Sequence, residues 1–278
     1  ASIGENVAYL GTDEFVTCDR FRNFSNLQGK YYYPGFKISD GLQMSQDPYD
    51  NLWEQGGMED RFNSFYELIR SCNIFIGNID NVYNMLASEK RQWKAEVKAI
   101  KAFIYFELVR RYGPIVLVPK NIGVDEDMSK MQQPRVHVDT CFNTIVRLLD
   151  EAVPFLPTSI TRDSDRAAFC KESALALKAR VLLYAASPLF NGNEYYSDFK
   201  SKNGEPLFSI QKDPEKWKRA AEAADEAVFV RLKAQAAFDL RRAEKRIRRI
   251  GIDVDVRGIR GLLAASGGQR AQTVARVD

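Results

Sequence analysis

One histidine in 278 residues is the first scarcity. Neither a Ser-His-Asp triad nor a Cys-His pair has a second base to draw on, and no nucleophile elbow is present. His137 sits just before a predicted helix and reads as a cap or a surface residue. Cysteine is nearly as sparse. Cys18, Cys72, Cys141 and Cys170 form no CxxC pair and have no histidine cluster beside them, which argues against zinc. Cys72 and Cys141 fall inside apolar helical patterns and read as buried free thiols. No GxxxxGK[ST] and no GxGxxG after a strand occurs, so no cofactor is expected. Asp125-Glu126-Asp127 is too short for an EF-hand loop. The acidic pairs Asp13/Glu14 and Asp163/Asp165 leave a carboxylate glycosidase as a remote alternative, since sequence does not set their separation. No apolar run approaches the ~20 residues of a membrane span. There is no initiating Met and no signal-peptide pattern, so the chain reads as a mature or trimmed fragment.

Period-2 strands are scarce too, whereas helical periodicity is abundant. "MEDRFNSFYELIRSCNIFIGNID" carries Phe62, Phe65, Leu68 or Ile69, Cys72 and Phe75 or Ile76 at spacings of three and four, with Gly77 and Asn78 as end signals. "SEKRQWKAEVKAIKAFIYFELVRRYG" predicts the longest body helix, with Ser88 as N-cap. Its stripe is Trp93, Val97, Ile100, Ile104 and Leu108, and Ala95, Ala99 and Ala102 are small enough for close packing. Arg110 and Arg111 in the last turn complement the helix dipole. Gly113 supplies a left-handed cap, and Pro114 stops the helix before the extended "IVLVP". A third helix is expected over "VDTCFNTIVRLLDEAVPFLP", with Phe142, Ile145 or Val146, Leu149 and Val153 inward. A fourth ends at Ser187–Pro188, and a fifth starts with Asp213 as cap and Pro214 in its first turn. Helices this regular, joined by loops many of which are long, fit stacked helical pairs. Ala102-x3-Phe106 matches one element of the tetratricopeptide repeat.

Charge is unevenly placed. Residues 229–278 hold 12 Lys+Arg against 5 Asp+Glu, a net of +7, while the rest of the chain is at −4. An acidic body does not wrap nucleic acid, and no nucleic-acid partner is expected.

Aromatics in polar segments are the most informative candidates for binding. Trp53 follows "PYDNL", with Tyr49 and Asn51 alongside; Tyr195 and Tyr196 stand beside Asn191 and Asn193. Such rings stack on the apolar face of a pyranose while amides bond its hydroxyls. The competing role is to anchor loops onto helices. The two roles are evenly matched for Trp53, and anchoring is the simpler one for the tyrosines.

Five segments together resemble the SusD/RagB family of outer-membrane nutrient-binding lipoproteins of Bacteroidota. They are "RSCNIFIGNID" (70–80), "RQWKAEVKAIKAFIYFELVRRYGPIVLVP" (91–119), "LLDEAVPFLP" (148–157), "ALALKARVLLYAASPLFNG" (174–192) and "WKRAAEAADEAV" (217–228). The resemblance covers about residues 60–228. It implies an all-α fold of degenerate tetratricopeptide-like hairpins with long irregular loops. It also implies a cell-surface lipoprotein of the outer membrane, held by a lipid anchor on an N-terminal Cys absent from this sequence. The implied partners are a SusC-like TonB-dependent transporter and a glycan, sometimes a peptide; no catalysis is implied. RRYG then reads as a structural signature and not as a ligand site. The family's sugar contacts come partly from aromatics before the first of these segments, which points to Trp53 and its neighbours.

The domain expectation is a scaffold with its N-terminal loop region over 1–228, then a basic tail over 229–278. The tail has no Tyr, Trp, Asn, Pro or Cys and departs from the family pattern, with a basic amphipathic helix expected at 230–250. An unrelated replacement for the family's C-terminal half is the preferred account of it, a membrane or nucleic-acid surface the other. The functional alternative to sugar capture is a tetratricopeptide-like scaffold that binds protein surfaces and no sugar.

Overall fold

The computed structural model describes residues 41, 44, 46, 53, 64–123, 125–127, 132–160 and 168–249. Among them run five α-helices: α1 (Phe65–Asn78), α2 (Ala87–Tyr112), α3 (Val138–Ala152), α4 (Lys171–Ala186) and α5 (Glu215–Arg249). Short 3-10 turns cover Ile79–Asn81, Val153–Phe155 and Glu194–Tyr196. No strand occurs among the described residues, where Lys200 and Pro206 form an isolated antiparallel bridge. The chain is all-α, as its periodicity predicts. Its residues group into two units. One contains 1–86, 100–145 and 198–208; the other contains 87–99, 146–197 and 209–278.

Helix ends follow local chemistry. The Ser64 hydroxyl accepts from the Glu67 amide and starts α1. α2 starts at Ala87, so Ser88 lies inside the helix and is not its cap. At the other end Gly113 adopts φ 67°, the left-handed position expected of it, and its amide donates to Val109. His137 caps α3: its carbonyl accepts from Cys141, and Nδ1 accepts from the Asp139 amide. α4 begins where the Cys170 amide donates to Ser173 Oγ. Asp213 caps α5 by accepting from the Glu215 amide.

The buried face of α2 differs from the expected stripe. Ala95, Ala99, Ala102 and Phe106 are fully buried, whereas Trp93 is 53% exposed, Ile100 36% and Phe103 41%. At about 100° per residue the alanines lie on roughly the opposite side of the helix from Trp93 and Ile100. Small side chains are compatible with close approach of a neighbouring backbone, and here they occupy the covered arc. Only beyond Phe103 does burial extend around the helix, from Ile104 to Val109.

In the second unit α4 and α5 pack side by side. Buried on these helices are Ala174, Leu175, Val181, Leu182 and Ala185 of α4 and Ala220 and Ala223 of α5. Each of the larger aliphatics contributes roughly 1.5–3 kcal/mol. "SPLFNG" closes this hairpin. Asn191 is buried, its Nδ2 donates to the Asp213 carbonyl at 2.9 Å, and its Oδ1 accepts the Asp213 amide at 2.8 Å. Gly192 has φ 79°, and a Cβ there would stand 2.9 Å from the Lys212 backbone, so glycine is required. Lys178 joins the helices electrostatically, at 2.8 Å from Asp150 of α3 and 3.2 Å from Glu226 of α5. Burial disfavours its charge, but the two carboxylates outweigh that and hold its pKa above the usual lysine value. α5 continues without a break through residues 228 and 229, where the composition changes.

Candidate functional site

Among the described residues no strand lies beside Pro114 and the extended run after it, so their backbone groups need other partners. Side chains do this. Tyr66 Oη donates to the Val116 carbonyl at 3.1 Å and accepts the Val116 amide at 3.2 Å. Two residues on, Tyr105 Oη does the same for Val118, at 3.0 and 2.9 Å. The alternation of an extended chain puts 116 and 118 on one edge, where both hydroxyls reach them. The Val118 carbonyl also accepts from Lys101 Nζ at 3.0 Å and Asn73 Nδ2 at 3.1 Å. Lys101 is itself buried and donates to Asn73 Oδ1 as well. On the opposite edge the Ile115 carbonyl accepts the Val136 amide.

This arrangement needs both phenols protonated, because each donates and accepts at once. Burial secures that. It pushes the Tyr105 hydroxyl up to about 12 and the Tyr66 hydroxyl higher still. Burial also raises the Cys141 thiol to about 11. Cys72, Cys141 and Cys170 are buried and free. Arg110 and Arg111 do more than complement the helix dipole. Both pair with the buried carboxylate of Glu107, at 2.8 and 2.5 Å, which compensates the cost of burying it.

Trp53 sits against the start of this run. Its ring meets Tyr66 edge-on at 5.0 Å and Tyr112 at 5.5 Å. The Arg135 guanidinium lies over the ring, 4.9 Å from its centroid. Arg135 Nη1 in turn reaches the carbonyls of Tyr112 and Pro114 at 3.5 and 3.4 Å. Trp53 is half-buried. Sequence reasoning singled out Trp53 but missed Arg135 and both tyrosines. The tyrosines of RRYG and of "NSFYELI" lie 46 residues apart in sequence, and nothing local to either links it to Trp53. Nothing in the sequence marked Arg135.

The second candidate group lies in the other unit. Asn193 caps the 3-10 turn at Glu194–Tyr196 by accepting the Tyr195 amide at 3.1 Å. Tyr195 points its ring away from the protein and is 97% exposed, while Tyr196 is half-buried. An anchoring role requires a buried ring, so Tyr195 does not anchor this loop. Asn191, beside them in sequence, is committed to closing the α4–α5 hairpin. Tyr49, Asn51, the acidic pairs Asp13/Glu14 and Asp163/Asp165, and Cys18 lie outside the described residues.

Comparison with known proteins gives these elements a lineage. The sequence profile of the SusD-like family, described as starch-binding associating with outer membrane, matches residues 20–183. The chain belongs to the SusD-like family. Among solved structures, BT4246 is 36% identical with a TM-score of 0.56, over 60% of this chain and 29% of BT4246. A SusD-like protein (BF3747) from Bacteroides fragilis NCTC 9343 is 28% identical with a TM-score of 0.47, over 59% of this chain and 28% of that one. This chain therefore spans less than a third of the length of these relatives. No curated protein sequence matches it.

Proposed function

We propose that this SusD-like protein captures glycans at the bacterial surface, without chemistry, and hands them to a SusC-like TonB-dependent transporter. Membership of a family described as starch-binding and associated with the outer membrane carries the reading. Anchorage at the outer membrane, facing outward, belongs to the same proposal. No described helix is long and apolar enough to cross a membrane. The single histidine is engaged as a helix cap, which supports a binding role over a catalytic one. Tyr195 offers the more open ring for stacking on a pyranose, and Trp53 the more firmly held one.

The apolar side chains that α2 leaves exposed favour a second reading, a helical scaffold that binds protein and no sugar. Affinity electrophoresis in gels containing soluble starch, laminarin or xyloglucan separates the two. Retardation by one glycan, weakened by Tyr195→Ala or Trp53→Ala, is the expected result. Equal mobility in every gel, from protein with its helical circular dichroism intact, refutes glycan capture by this chain and leaves the scaffold reading.

A further inference from the structure

We infer that Arg135 is a positioning residue that seats Trp53 on the turn after α2, which makes the family's RRYGP run the support of a ligand ring. Three separate parts of the chain converge on this indole. Tyr66 comes from α1, Tyr112 from the last residue of α2, and Arg135 from the extended segment before α3.

Each contact is itself held in place. Tyr66 cannot turn away without releasing both backbone groups of Val116. Tyr112 directly precedes Gly113, whose left-handed φ of 67° fixes where the helix ends. A Cβ on Gly113 would lie 3.2 Å from Phe208, so this turn is also closely packed. Arg135 is set by the neighbouring Val136 amide on the Ile115 carbonyl and by its own reach to the Tyr112 and Pro114 carbonyls.

The chemistry fits arginine and fits lysine poorly. A guanidinium is planar, so it can lie over an indole while its edge donates to carbonyls; an ammonium is a compact point charge. Cation–π attraction strengthens where the pair is shielded from water, and Trp53 is half-buried. One residue thus ties the indole to the same carbonyls that define the turn. The part of the inference that concerns glycans rests on the capture reading above; the seating of Trp53 does not.

The deciding experiment is fluorescence of the full chain carrying Trp93→Phe and Trp217→Phe, so that Trp53 alone emits. Both replaced residues are partly exposed, so the background should fold. With Arg135→Gln, the Trp53 emission should shift to the red and acrylamide quenching should rise about threefold, with helical circular dichroism unchanged. Arg135→Lys should recover only part of the difference, because charge is restored without the planar fork. If the background misfolds, 5-fluorotryptophan NMR of the parent replaces it. The resonance lost in Trp53→Phe should then move in Arg135→Gln while the other two stay.

Quenching in Arg135→Gln within about a fifth of the parent overturns the proposal, since a seated ring must loosen when its cationic side is removed. Full recovery by Arg135→Lys would likewise remove the guanidinium from the argument. In gels containing any polysaccharide that retards the parent, Arg135→Gln should weaken retardation as Trp53→Ala does. If no polysaccharide retards the parent, capture fails while the fluorescence result still decides the seat.

Discussion

Replacing Tyr66 with Phe should cost more than replacing Tyr105 with Phe, although Tyr105 is the more buried. Each change removes one hydroxyl and keeps the ring, so packing is nearly unaltered. The difference lies in what the hydroxyl leaves behind. Val116 has both its amide and its carbonyl on Tyr66, and both lose their partner. Val118 also has both groups on Tyr105, but its carbonyl keeps Lys101 and Asn73. Only the Val118 amide is orphaned. An unsatisfied buried group costs about 1–3 kcal/mol, and these half-buried positions belong near the lower end. Two orphans give about 2–3 kcal/mol for Tyr66→Phe, and one gives about 1–1.5 kcal/mol for Tyr105→Phe. Urea unfolding followed by circular dichroism measures the totals, and amide exchange at Val116 and Val118 measures the local effect. In each variant the corresponding amide should lose protection. An equal or larger cost for Tyr105→Phe, or unchanged exchange at either amide, would show that the tyrosine hydroxyls do not hold this run.

The same hydroxyls predict an alkaline limit. The folded state holds the Tyr105 proton more tightly than the ordinary value of 10.0, up to about 12, so its contribution is complete below pH 10 and is lost as pH rises through that window. The loss is about 1.4 kcal/mol per pH unit for each such group. Cys141, raised from 9.0 to about 11, begins the decline one unit earlier. Urea midpoints should therefore be flat from pH 7 to 8.5 and fall above pH 9, with a shallower fall above pH 10 in Tyr105→Phe. In the other unit Gly192→Ala should cost about 2 kcal/mol or more, because φ is left-handed there and the added carbon meets backbone. Its thermal midpoint should fall well below that of Gly204→Ala, where φ is also positive but nothing lies within 4 Å.

Much of the fold is legible in the sequence because helix ends are local chemistry. Gly113-Pro114, Ser187-Pro188 and Asp213-Pro214 act through their own backbone preferences, and α2, α4 and α5 stop or start beside them. The extended run after Pro114 is equally predictable. What satisfies it is not, since Tyr66 lies 50 residues away and Lys101 is a lysine that sequence alone would place in solvent. The candidate site divides along the same line. That Trp53 and Tyr195 are rings set in polar segments is readable; which ring is packed depends on residues far off in the chain.

The face of α2 shows why pattern alone misjudges burial. A stripe drawn through the apolar residues at spacings of three and four selects Trp93, Val97, Ile100, Ile104 and Leu108, yet ahead of Phe103 the covered arc is drawn by Ala95, Ala99 and Ala102. Transfer from water favours the large residues, because burial rewards apolar area. Close packing favours the small ones, because each alanine allows more neighbouring atoms to come within contact distance. In the half of α2 before Phe103 the alanines are the covered residues, and the large ones remain outside. From Ile104 to Val109 the helix is covered around its circumference and no choice is needed, so the large residues there are buried as pattern predicts. A helix that presents alanines inward and aromatics outward keeps apolar area available for a further contact.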